Sequence, residues 1–120
     1  MTFPTISYKY NDLSEAQMLA EVVDQKLATL EKYLGGAKSL SCDVEFEKVT
    51  PQQKGQIFKL EVNLLIDGSL YRAEATEESF EKAIDEVRDE MDKELRRAKE
   101  KHETLMKQEG REAKEKMLAS

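Results

Sequence analysis

Apolar and polar residues along the chain fall into two alternating periods. In TISYKY (5–10), Ile6, Tyr8 and Tyr10 occupy every second position, the period of a strand. Pro4 just ahead disfavours a central position, so this strand is expected at or next to a sheet edge. The period then lengthens. Ala16, Leu19, Val23, Leu27, Leu30 and Leu34 recur at spacings of three and four, which predicts an amphipathic helix. Ser14 with Gln17 fits a capping box at its start, and Gly35-Gly36 supplies its stop. In SLSCDVEFEKV (39–49) the alternation is strict: Leu40, Cys42, Val44 and Phe46 face one way, Ser41, Asp43, Glu45 and Glu47 the other. One dry and one wet face predict an antiparallel sheet covered on a single side. After the polar loop TPQQKGQ (50–56), Phe58, Leu60, Val62, Leu64 and Ile66 share a face, and Asp67-Gly68 is a two-residue hairpin signal leading into SLYRAEA (69–75).

Thr76 is the expected N-cap of a second helix, with Glu77 and Glu78 in its first turn. Its stripe runs Phe80, Ile84, Val87, Met91, Leu95, Ala98 and continues weakly through His102 and Leu105 to Gly110. Up to Lys101 such a helix is about 37 Å long, so its end is expected to project beyond the sheet. The tail REAKEKMLAS (111–120) has little apolar face and is expected to be frayed or disordered. The order β-α-β-β-β-α predicts an α+β fold, a four-stranded sheet with two helices packed on one face, laid out like a double-stranded RNA-binding domain. The expected division is a domain over 1–101 and a helical extension or disordered charged tail over 102–120.

At 120 residues, 39% hydrophobic and 37% charged, the chain is sized for one modest core. No apolar run is long enough to span a membrane, and the N-terminus lacks a signal-peptide pattern. A single cysteine, Cys42, excludes an internal disulfide and favours a reducing, cytoplasmic setting. A net charge of −6 argues against an indiscriminate nucleic-acid coat but leaves room for a local basic patch. Little points to catalysis. The sole histidine, His102, sits on a charged helix end, and Cys42 falls on the dry face of a strand. The five glycines are scattered, and no metal-ligand spacing or cofactor motif is present. The basic groups are more informative. Lys26 and Lys32 bracket the stripe of the first helix, and Lys93, Arg96, Arg97 and Lys101 gather near the end of the second. Helices lying side by side would present these to phosphates, although interleaved acids such as Glu31 and Glu94 are equally the mark of an ordinary solvated face.

The segments KLATLEKYL (26–34), VEFEKV (44–49), FKLEVNLLIDGSLYRAEA (58–75) and AIDEVRDEMDKELRRAKEK (83–101) resemble the ribosome hibernation-promoting factor and ribosome-associated inhibitor A family. The resemblance covers residues 5–101, and its specificity lies in the order and spacing of the segments. It implies the fold derived above and a non-enzymatic stress or stationary-phase factor. Such a factor binds the small ribosomal subunit between head and body, blocks the path of mRNA and of A- and P-site tRNA, and stops translation. By alignment, the family's RNA-facing cations fall on Lys26, Lys32, Lys93, Arg96 and Arg97, with Lys48 at a strand end and Arg72 in the last strand. Lys101 extends the same basic run. Thr29 and Glu90 stand where the family favours lysine, and SEAQMLAEVV (14–23) lacks its usual arginine, which implies weaker or more salt-sensitive binding, or compensation elsewhere. No counterpart of the family's ribosome-pairing second domain is expected, so the chain is expected to be monomeric when free and not to pair ribosomes alone. The rival expectation is a protein-interaction module acting through the long second helix, without RNA.

Overall fold

Strict alternation becomes a sheet because every second side chain can leave water at once. The computed structural model describes residues 3–10, 18–50 and 55–119, with side chains through Arg111. Its elements are β1 (Ile6–Tyr10), α1 (Ala20–Ala28), a 3₁₀ turn (Glu31–Tyr33), β2 (Leu40–Lys48), β3 (Phe58–Ile66), β4 (Ser69–Glu77) and α2 (Phe80–Ala119). The four strands lie in the order β1-β2-β3-β4. This is the expected α+β architecture. The sheet is mixed rather than wholly antiparallel: β1 runs parallel to β2, Tyr8 opposite Val44, while β2–β3 and β3–β4 are antiparallel. The reason is the connection. A helix between β1 and β2 carries the chain back to its starting end, so both strands run the same way.

The dry face holds Cys42, Val44, Phe46, Leu60, Val62, Leu64, Ala73 and Ala75, all buried, and the helices cover it with Val23, Leu27, Phe80, Ala83, Ile84, Val87, Met91 and Leu95. Aromatic rings fill the end nearest the start of α2. Phe80 meets Phe46 edge-on at 5.2 Å and Phe58 at 4.9 Å, and Tyr10 stacks on Phe46 at 5.4 Å. Tyr8 joins β1 to α1: its hydroxyl donates to Asp24 Oδ1 at 2.5 Å and lies 2.9 Å from the Ala20 carbonyl. Burial, then the bond to Asp24, pushes its hydroxyl well above the ordinary tyrosine range. Cys42 is a core residue whose thiol burial pushes up to about 12, so it stays protonated at neutral pH.

Three expectations about element ends are corrected. The first helix does not run unbroken to Leu34. It ends at Ala28, where the Thr29 hydroxyl donates to the Lys26 carbonyl at 2.7 Å, and a 3₁₀ turn continues the stripe so that Leu30 and Leu34 remain buried. Ser14, Ala16 and Gln17 lie outside the described residues. The second helix is capped by Ser79 rather than Thr76: Ser79 Oγ accepts from the Lys82 amide at 3.2 Å, while Thr76 is still paired with Lys59 in the sheet. A β-branched residue satisfied in a ladder has no cause to leave it. Finally, Gly110 does not end α2, and the backbone stays helical to Ala119, through the tail expected to fray. Gly110 is followed by strong helix formers rather than by a second breaker.

The Asp67-Gly68 turn has φ of 48° and 86°, the two positive values a type I′ hairpin needs. Asp67 Oδ1 accepts the Lys38 and Ser39 amides, each at 2.8 Å, tying the hairpin tip to the loop after Gly36. Past Ala98, α2 leaves the body: residues 99–111 are all exposed. The molecule measures 70 × 26 × 20 Å with a radius of gyration of 18.6 Å, against about 14 Å for a compact chain of this length.

Phe46→Ala is expected to cost about 3–5 kcal/mol in urea unfolding, whereas Leu105→Ala, on the projecting helix, should stay within about 0.5 kcal/mol. Gly110→Ala meets no atom within 4 Å. It should raise helical ellipticity and stabilise the projecting segment by up to about 1 kcal/mol, without altering the core.

Candidate nucleic-acid interface

The apolar stripe of α2 rests on β3 and β4, which leaves one flank of the helix facing α1. Asp85, Arg88 and Asp92 recur there at three- and four-residue spacing, and each binds a partner across the helix pair. Lys26 Nζ lies 2.9 Å from Asp85 Oδ1, Arg88 Nε donates to Thr29 Oγ1 at 3.0 Å, and the Tyr33 hydroxyl donates to Asp92 Oδ1 at 2.9 Å. This polar seam is half open to water, so its ion pair aligns the helices more than it stabilises them. Burial, then the bond to Asp92, raises Tyr33, while nearby Arg96 and Arg88 oppose that rise.

The expected RNA-facing cations are therefore not equivalent. Lys26 is exposed but already paired within the seam. Arg96 leans on Asp92 at 3.9 Å. Arg72 lies on the open face of the sheet, away from both helices, bridged to Glu61 at 3.0 Å and Glu74 at 3.1 Å. Asn63 donates to Glu61, and this bond, with Arg72 beside it, holds the Glu61 carboxyl below its ordinary range. Lys48 ends β2, half-buried and opposite Phe58. Lys32, Lys93, Arg97 and Lys101 are exposed and have no ion pair among the described residues.

Lys93, Arg97 and Lys101, spaced by four, form a row on the flank of α2 turned from α1. Glu86 lies on that flank and shares a hydrogen bond with Glu77 at the end of β4; this bond, with burial and the neighbouring charge, raises Glu86. Lys93 and Arg96 meet across the crest of the helix at a spacing of three, so the row and the seam side are continuous there. Charge is segregated along α2: six acids face two bases over residues 81–92, and four bases face one acid over 96–101. The structure thus brings Lys93, Arg96 and Arg97 together on the last supported turns of α2, with Lys101 one turn further along on the projecting segment and Lys32 beside the seam. It does not bring Arg72 or Lys48 to them.

Sequence reasoning missed Arg88, which the helix register alone reveals, and left out Lys99, which shares a cleft with Lys32. Thr29, in place of a lysine, is the acceptor for Arg88.

The model of the sigma 54 modulation protein / S30EA ribosomal protein family matches residues 5–103. The chain belongs to this family. Two solved structures share the fold of this S30EA-family chain. The Thermus thermophilus Protein Y N-terminal domain superposes with a TM-score of 0.63 at 23% identity, covering 81% of this chain and 98% of that one. A ribosomal subunit interface protein from Coxiella burnetii gives 0.56 at 16% identity, covering 78% and 96%. Among curated proteins no match is found. No helix among the described residues is long and apolar enough to cross a membrane.

The Tyr33 bond gives a pH test. Because the folded state raises this hydroxyl, its stabilising effect is full below the ordinary tyrosine range near pH ~10 and is lost as pH rises through the folded value. Tyr33→Phe should unfold more easily than wild type at pH 7, and the gap should narrow in unfolding curves taken at progressively alkaline pH.

Proposed function

We propose that this S30EA-family protein is a cytoplasmic hibernation-type factor that binds the small ribosomal subunit through ribosomal RNA. In this reading it lies in the channel for mRNA and for the A- and P-site tRNAs and stops translation under stress, as a binding protein rather than a catalyst. The observation that carries the proposal is the run Lys93, Arg97 and Lys101, joined by Arg96 and flanked by Lys32. Four of these cations stand on α2 and Lys32 on the 3₁₀ turn, and apart from Arg96 none is neutralised by an acid partner among the described residues. Phosphates give such groups what the protein does not, and displacing counterions from RNA favours the exchange. The family's description as an S30EA ribosomal protein, and the name of the Coxiella burnetii structure, a ribosomal subunit interface protein, support a ribosomal partner.

The acidic remainder of the protein has a role in this scheme. Residues 81–92 and the open sheet face repel phosphate, so RNA is steered to the basic turns and the protein has one preferred orientation. Lys26, held by Asp85, must exchange that partner to reach a phosphate and is expected to add less than Lys93 or Arg97.

A second arrangement draws on the exposed Leu105 and Met106 of the projecting helix, 48% and 55% accessible, as a surface for another helix. Concentration-dependent oligomerisation without RNA, abolished by ending the chain after Lys101, would select it over the ribosome.

The test is co-sedimentation with small subunits at two salt concentrations. Wild type should pellet, and Lys93→Glu with Arg97→Glu should abolish pelleting while circular dichroism stays unchanged. Neutralising one contacting cation should flatten the salt dependence by about 0.7–0.9 log units per decade. Arg72→Ala, on the opposite face, should leave both affinity and slope unchanged. Absence of pelleting by wild type would sink the proposal.

A further inference from the structure

Where the 3₁₀ turn, the β3–β4 hairpin and the last supported turns of α2 converge, they enclose an open cleft of about 550 Å³. That volume falls in the range of roughly 300–1,000 Å³ typical of small-ligand sites. The floor is apolar, made by Ile66, Leu95 and Ala98. Two tyrosines, Tyr33 and Tyr71, line it, both half-buried. Tyr33 is held by its bond to Asp92, and Lys32 Nζ sits 5.2 Å from its ring centroid. Lys99 stands across the cleft on α2, with His102 and Glu103 on the outer rim. Neither Lys32 nor Lys99 has an ion pair among the described residues. The carboxylate of Asp67 already accepts the Lys38 and Ser39 amides, so it is poorly placed to neutralise either lysine. Gly35 and Gly36 leave backbone uncovered at the mouth, with nothing within 4 Å of where a Cβ would stand.

Two half-buried aromatic rings, one of them held by Asp92, an apolar floor and two ammonium groups without ion pairs among the described residues suit a flat ring that carries an anion. We infer that this cleft takes one unpaired nucleotide, its base against Tyr33 and Tyr71 and its phosphate between Lys32 and Lys99. The inference rests on the proposed RNA-binding function and deepens it. The helix cations Lys93 and Arg97 hold a folded backbone without regard to sequence, whereas the cleft receives a base that has left its stack. The ligand is a nucleoside monophosphate unit, whether free or extruded from an RNA strand.

Amide NMR of the full chain tests this, with adenosine 5′-monophosphate, a short 5′-phosphorylated oligoadenylate and a short blunt RNA duplex as probes. The amides of Tyr33, Gly35, Gly36, Tyr71 and Lys99 should shift with the oligoadenylate and much less with the duplex. Tyr71→Leu and Lys99→Glu should each weaken oligoadenylate binding on the order of tenfold. Lys99 is exposed, so its variant stays informative even if the Tyr71 variant folds poorly. Equal affinity for the monophosphate would identify a free nucleotide as the ligand, and a weaker response to it would identify an RNA strand. Unmoved cleft amides, an equal response to the duplex, or undiminished binding by Lys99→Glu would overturn the inference. If wild type still pellets with small subunits in that case, the inference fails alone; if it does not, the proposed function fails as well.

Discussion

The rotation of α2 about its own axis is set by Phe80, Ile84, Val87, Met91 and Leu95 pressed against the sheet, and every charge on the helix takes its direction from that contact. Each of these side chains is nearly or wholly withdrawn from water. Turning the helix by one residue, about 100°, would drive charged groups into the apolar layer, at a cost far beyond any surface ion pair. The apolar stripe is therefore the element that aims the cations. Asp85, Arg88 and Asp92 fall toward α1 and are used up in the seam, and Lys93, Arg97 and Lys101 fall outward.

The same contact explains how an acidic protein can keep a basic surface. Salt screens exposed charges within about 8 Å under physiological conditions, so what a phosphate senses is the local set of groups rather than the total of −6. Acids on the first turns of α2 and bases on the later ones are separated along a rigid rod, which prevents them from folding back on one another. The seam acts alongside this separation. By pairing Lys26 with Asp85 and Arg88 with Thr29, it fixes the spacing of the two helices and sets Lys32 beside the cleft.

Much of this could be read from the residues. Strict alternation in 40–48 and 58–66, with Asp67-Gly68 between β3 and β4, gave strands whose burial follows the pattern. Element ends were harder, because neighbouring signals compete. Thr76 and Ser79 both suit a cap, and only the ladder partner Lys59 decides for Ser79. The stripe Val23, Leu27, Leu30, Leu34 has a spacing compatible with a helix that tightens into a 3₁₀ turn, so the break at Thr29 leaves no trace in periodicity. Which cations are free was not legible at all. That depends on the register between α1 and α2, a tertiary quantity, and on which sheet face carries Arg72, where the family resemblance suggests an RNA contact and geometry shows bridges to Glu61 and Glu74.

The projecting part of α2 also changes how the molecule behaves as a particle. A body 70 Å long and barely 26 Å wide experiences more friction than a sphere of equal mass, and it tumbles unequally about its axes. A monomer of this shape will migrate through a sizing column ahead of rounder proteins of 13.8 kDa. Elution volume by itself would mimic a dimer, and light scattering or sedimentation equilibrium, which weigh the particle regardless of its outline, are the measurements suited to it.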